Sequence, residues 1–159
     1  MKDKQPEIHE AIIEADKKSR ERFSGHGSAL AQAYNHMIMP LANARDKHTQ
    51  VIWGIRDFEA RFGRKPEGMW LPECAADNES LDVLAQHGIK FTILSPFQAA
   101  RVRPLEGENE WQDANGGKID PTMAYLVKLP EGRSMPVFFY DGPVSQAVAF
   151  EKLLSGLCR

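Results

Sequence analysis

The chain is predicted to adopt an α/β fold with a mainly parallel sheet. Three observations predict it. Two long stretches, Pro6 to Phe23 and Arg45 to Phe62, carry apolar residues at helical spacing. Short apolar runs, GMWL, IKFTIL and VFFY, are interleaved with helical segments. Glycines, among them Gly25, Gly63 and Gly88, stand where each helical pattern stops.

Taken in order, Pro6 suits a first helical turn, and Ile8, Ile12, Ala15, Ser19 and Phe23 recur at three- and four-residue steps up to Gly25 and Gly27. That is an amphipathic helix. ALAQAY, Ala29 to Tyr34, is the first strand, and NHMIMPLANA an ordered loop. Val51, Ile52, Ile55, Phe58 and Phe62 form one helical stripe ended by Gly63. A strand follows from Glu67 to Leu71, then a helix from Ser80 to His87, capped by Asp77 or Asn78 and closed by Gly88. Ile89 to Leu94 is the next strand. The charged, glycine-rich tract around 96–123 reads as an inserted hairpin or loop. Tyr125–Leu129 and Met135–Tyr140 are two strands about the turn PEGR, with Val137 to Tyr140 apolar enough for burial on both faces. Asp141-Gly142-Pro143 then turns into a last helix with Val144, Val148, Phe150, Leu153, Leu154 and Leu157 inward.

With 159 residues, 42% hydrophobic and 26% charged, the composition is that of one globular domain. A net charge of -2 with scattered signs offers neither a basic stripe for nucleic acid nor a polybasic membrane anchor. The start, MKDKQPEIHE, lacks a signal-peptide core, and no apolar run approaches a membrane span, so a cytoplasmic location is expected. Cys74 and Cys158 suggest neither a disulfide framework nor a zinc spacing. The sequence contains no HExxH, CxxC, GxGxxG or P-loop pattern, and no metal or cofactor is expected.

In parallel α/β sheets, ligand-facing side chains gather just past the C-terminal ends of the strands. Glu73 stands there: Pro72 ends backbone pairing, and Trp70 offers an aromatic wall. The same logic selects Gln32 to His36, Ser95 and Asp141. Each also has a structural reading. Glu73 is equally a helix-entry carboxylate, His36 a hydrogen-bonded loop histidine, Trp70 a core residue and Asp141 a turn or cap residue. Cys74 reads as a small buried neighbour of Glu73 rather than a reactive thiol. His26 has no partner that the sequence identifies, and Arg101 and Arg103 read as a solvated face.

GHGSALAQAYNHMIMPL, RFGRKPEGMWLPECAAD and the closing FFYDGPVSQAVAFEKLL together resemble glycoside hydrolase family 57 from Gly25 onward. The resemblance implies an incomplete seven-stranded β/α barrel of the glycoside hydrolase and deacetylase type. It implies action on α-glucans or oligosaccharides with retention of configuration. It makes Glu73 the nucleophile and places His36 in the loop bordering the sugar. Gln32, Trp70 and Asp141 are the remaining substrate-binding candidates.

The family's His-Gln-Pro block and its aspartic acid/base block are not found in this sequence. The expectation is therefore a single partial catalytic-barrel domain over 1–159, incomplete at both ends, whose partner is the remainder of a parent barrel. It would carry the nucleophile of a retaining hydrolase or glucanotransferase without the acid/base, and be close to inert alone. The alternative is a non-catalytic carbohydrate-binding or regulatory module. A deacetylase-like metal site would need an Asp and two His together, a pattern that His26 and His36 lack.

Overall fold

Asn43 begins the central helix, its side chain accepting the Asp46 backbone N–H, and Gly63 ends it in a left-handed conformation at φ 64°. This computed structural model describes residues 4–107, 110–151 and 153–156. Its helices are α1 (Pro6–Arg22), α2 (Ala44–Phe62), α3 (Asn78–Gln86) and α4 (Gly142–Phe150). Its strands are β1 (Ala31–Gln32), β2 (Met69–Trp70), β3 (Thr92–Leu94), β4 (Arg101–Val102), β5 (Gln112–Asp113), β6 (Ala124–Lys128) and β7 (Ser134–Phe139).

β1 pairs with β2 in parallel, with Ala31 opposite Met69 and Gln32 opposite Trp70. A parallel bridge from Gly68 to Phe91 and the 2.7 Å bond from Thr92 Oγ1 to the Met69 carbonyl carry the sheet across to β3. β3 runs parallel to β7, and β6 closes antiparallel on β7. The order is thus β1-β2-β3-β7-β6, with β1 and β6 as open edges among the described residues. This is the predicted α/β sheet, mainly parallel, without the closure of a barrel. The predicted insertion is present as the antiparallel hairpin β4–β5, where Arg101 and Arg103 both stack on Trp111, at 4.7 and 4.6 Å from its ring centroid.

Side chains alternate across the strands. Ala31, Met69, Thr92, Leu94, Val137 and Phe139 point to the helix side and are buried. α2 delivers Val51 and Phe58 to this layer and α3 delivers Leu81 and Leu84. α2 comes unusually close to the sheet at Gly54, where a Cβ would collide with the Gln32 carbonyl oxygen. Asp77 caps α3 by accepting the Ser80 N–H.

Three burial expectations are corrected. The stripe on α1 is uncovered: Ile8, Ile12 and Phe23 are exposed, and the buried residue of this helix is Asp16, held by Arg64 at 2.7 Å. The apolar residues of the last helix also face solvent: Val144, Val148 and Phe150 are exposed, the helix stops at Phe150, and Leu153 and Leu154 beyond it are exposed too. Leu157 lies outside the described residues. Nor is VFFY buried on both faces, since Phe138 is 40% exposed. Periodicity reports that a face is apolar, but whether anything covers it is a tertiary matter. No helix among the described residues is long and apolar enough to cross a membrane.

Candidate active site

The chain leaves β2 through Leu71 and Pro72, both buried, into a single tight turn over Pro72–Cys74. Glu73 and Cys74 are consecutive non-glycine residues in the left-handed region, at φ 56° and 52°. Such a conformation costs about 1–2 kcal/mol per residue, so the surroundings must enforce it. They do so from both sides: Cys74 N donates to the Leu71 carbonyl and Ala75 N to the Pro72 carbonyl, each at 3.0 Å, while Pro72 and Cys74 are buried. With its neighbours turned inward, Glu73 is turned outward, its side chain 71% exposed.

The loop after β1 is shaped in the same way. Ala33 is fully buried, and His36 takes φ 54° with its N–H donating to the Ala33 carbonyl. Gln50, buried on α2, accepts the Asn35 N–H on its side-chain oxygen at 2.7 Å and the Tyr34 N–H on its carbonyl at 3.3 Å. Because β1 and β2 are parallel neighbours in register, these two loops emerge side by side. His36 Nε2 meets Glu73 Oε1 at 3.2 Å.

Gln32 and Trp70 share the sheet face turned away from α2, opposite each other in register, Gln32 exposed and Trp70 half-buried. Ser95 and Asp141 follow β3 and β7 at the same end of the sheet. Asp141 is two strand spacings from β2, about 10 Å, and its carboxylate caps α4 by accepting the Val144 N–H at 2.9 Å. Its structural reading is therefore occupied. Ser95 likewise caps the turn that follows it, accepting from Phe97 N.

His26 binds Glu67 at 2.9 Å. It precedes β1, whereas His36 follows it, so the two histidines lie at opposite ends of the sheet and do not converge. Among the described residues, no group of three or more His, Cys, Asp or Glu side chains is placed to hold a metal ion.

Two solved structures share this fold. The structure of 4-alpha-glucanotransferase from Thermococcus litoralis superposes with a TM-score of 0.65 at 16% identity, over 98% of this chain and 22% of that one. The alpha-amylase AmyC from Thermotoga maritima gives 0.62 at 20% identity, over 91% and 25%. At those identities the likeness is one of fold. The model of glycosyl hydrolase family 57 matches residues 5–153. The chain belongs to this family. A 1,4-alpha-glucan branching enzyme from Thermococcus kodakarensis is 40% identical over 53 residues, which make up 32% of this chain and 8% of that protein. This family 57 chain thus spans about a quarter or less of the length of these relatives.

Two buried polar residues of α2 were not singled out from sequence: Gln50, which holds the loop after β1, and Lys47, which is 1% exposed. A signal for both existed. They lie on the inward stripe of α2 together with Val51, Gly54 and Phe58, and polar residues on a buried face must have partners. Also unanticipated is a cleft of about 530 Å³ along the open edge of β1, lined by Gln32, Tyr34, Asn35, Gly54, Asp57 and Arg61.

Proposed function

We propose that Glu73 is the nucleophile of an α-glucan-active, retaining centre, and that this family 57 chain contributes that half of the site to a larger catalytic barrel. The observation that carries the reading is the His36–Glu73 contact at the C-terminal ends of two adjacent parallel strands, made by residues whose backbone is held in the left-handed region. Strain held in place by the surrounding hydrogen bonds and burial, at a carboxylate that itself faces outward, supports a presenting role for this turn.

The proposed chemistry is that of a retaining glycosidase. Glu73 attacks the anomeric carbon, the bond to the leaving sugar oxygen breaks, and a glycosyl ester forms. Water or a second sugar hydroxyl then attacks the ester, giving hydrolysis or transfer. His36 Nε2, engaging Oε1, fixes the carboxylate plane and leaves Oε2 for the attack. Trp70 and Gln32 flank the sugar from the neighbouring sheet face. A retaining mechanism needs a second carboxyl about 5 Å away to protonate the leaving oxygen. Asp141 is not assigned that role, because its carboxylate caps α4. With no acid assigned among the described residues, and general acid help worth about 10²–10⁴-fold, slow turnover of ordinary α-glucans is the expectation for the chain by itself.

Maltosyl fluoride tests this directly, because fluoride departs without protonation and so bypasses the acid. Intact-mass and peptide mass spectrometry should find a maltosyl ester on Glu73 and none in Glu73→Gln. An adduct elsewhere, or equal labelling of both proteins, would reject the assignment. The second reading is a carbohydrate-binding module without turnover. The openness of the site favours it, with the His36 side chain 56% exposed and that of Glu73 71% exposed. Saturable binding of maltooligosaccharides with no adduct in wild type would select it.

A further inference from the structure

Lys47 is a costly residue where it stands. It is the fourth residue of α2, close to the positive end of the helix dipole, and it is 1% exposed. A buried ammonium at a helix N-terminus is disfavoured by both desolvation and the dipole, so its presence requires compensating partners. These partners come from the start of α3: Nζ is 2.6 Å from Glu79 Oε2 and 3.1 Å from Asp77 Oδ2. Burial pushes the ammonium toward deprotonation, but its hydrogen bonds to the Glu79 and Asp77 carboxylates outweigh that and hold the pKa above the ordinary lysine value.

The location matters more than the pairing. The loop bearing His36 ends at Asn43, the cap of α2, and the turn bearing Glu73 reaches Asp77, the cap of α3, after Ala75 and Ala76. Each loop is therefore rooted in a helix N-terminus, and Lys47 ties the two roots together. Asp77 serves both purposes at once, capping α3 through Oδ1 and accepting Lys47 through Oδ2.

We propose that Lys47 is a positioning residue that sets the separation of His36 and Glu73 by holding the first turn of α3 against the first turn of α2. The catalytic meaning of this role rests on the reading of Glu73 given above; the mechanical claim does not. The proposal also separates position from stability. Asp77 and Glu79 keep 38% and 56% of their side chains exposed, so both remain solvated once Lys47 is gone. Methionine in place of this buried lysine removes its desolvation cost, preserves volume and leaves no charge buried without a partner, which is what makes one-sided removal of a buried pair costly.

The test follows the His36 ring ¹H–¹³C NMR signals in this chain. Glu73→Gln defines the signal of a His36 without its carboxylate. Lys47→Met should move the His36 signal at least half of that distance, with the amide signals of β6 and β7 unmoved. Glu79→Gln, altering an exposed partner, should produce a smaller shift in the same direction. A His36 signal in folded Lys47→Met that coincides with wild type overturns the proposal, as does a His36 signal indifferent to Glu73→Gln. Should Lys47→Met fail to fold, Glu79→Gln decides alone: a shift supports the role and no shift rejects it. Maltosyl labelling distinguishes the two claims. If Glu73 is not labelled but the His36 signal follows Lys47, the positioning role stands and the glycosidase reading falls; labelling with an indifferent His36 signal gives the reverse.

Discussion

His48 Nδ1 and His87 Nε2 face each other at 2.9 Å, joining α2 to the end of α3. At that distance one ring donates its proton and the other accepts it, so a second proton would set two N–H groups head to head. The anionic neighbour of His48 is Asp82 on α3, itself bound by Arg133 and Gln86. Burial, reinforced by the charge of His48, pushes the His87 imidazole below the ordinary histidine range.

The sign of the pH dependence follows. The folded state binds this proton less readily than the unfolded chain, so the contribution of His87 is complete above about pH 6.5 and is lost as pH falls through its lower folded value. Thermal unfolding between pH 7 and 5 should show a falling Tm in wild type and a shallower fall in His87→Gln. Asp16 and Asp82, held below the usual carboxylate range by Arg64 and Arg133, titrate at more acidic pH than this window. A wild-type Tm that does not change from pH 7 to 5 would count against the histidine pair.

Asp16 anchors α1. Its carboxylate receives two nitrogens of Arg64 at 2.8 and 2.7 Å and the Ala29 N–H at 2.9 Å, while the apolar stripe of the helix stays exposed. Breaking a buried pair from one side costs about 3–5 kcal/mol. Asp16→Ala should therefore release α1 ahead of the rest of the fold, read as amide hydrogen exchange that accelerates over 6–22 and stays slow in α2.

Gly54 lets α2 approach β1 so closely that a Cβ there would meet the Gln32 carbonyl. Gly54→Ala should cost about 1–3 kcal/mol, the usual range for overpacking, measured as a lower urea midpoint. Because the Gln32 carbonyl must move, the Tyr34, Asn35 and His36 amide signals should shift more than those of β6.

Cys74 has a buried side chain, and burial pushes its thiol above the ordinary value although a backbone bond at Ser95 pulls the other way. In a Cys158→Ser background, a disulfide reagent at pH 8 should react with native protein at least tenfold more slowly than with urea-unfolded protein, as expected of an inert buried cysteine rather than an activated one. Equal rates would show that the Glu73 turn opens freely.

Much of the molecule was legible because local rules and the fold agree. The α2 stripe with Gly63 behind it, Asp77 ahead of α3, the PEGR turn and the hairpin in the 96–123 tract are each set by neighbours close in sequence. Pro72 after a short apolar run located the outward carboxylate for the same reason. The β1 and β2 ladders proved shorter than their apolar runs, because flanking residues such as Ala33 and Leu71 are buried without pairing.

What the sequence determined by itself was the alternation of helices and strands, the strand ends where chemistry is to be sought, and Glu73 as the residue to examine. The tertiary structure alone decided which of those ends meet. Parallel register put His36 against Glu73, a cap took Asp141, His26 went to Glu67 at the other end of the sheet, and Lys47 closed on Asp77 and Glu79. The physical reason is that periodicity and turn chemistry act over a few residues, whereas these partners are tens of residues apart and are chosen by how the strands lie beside one another.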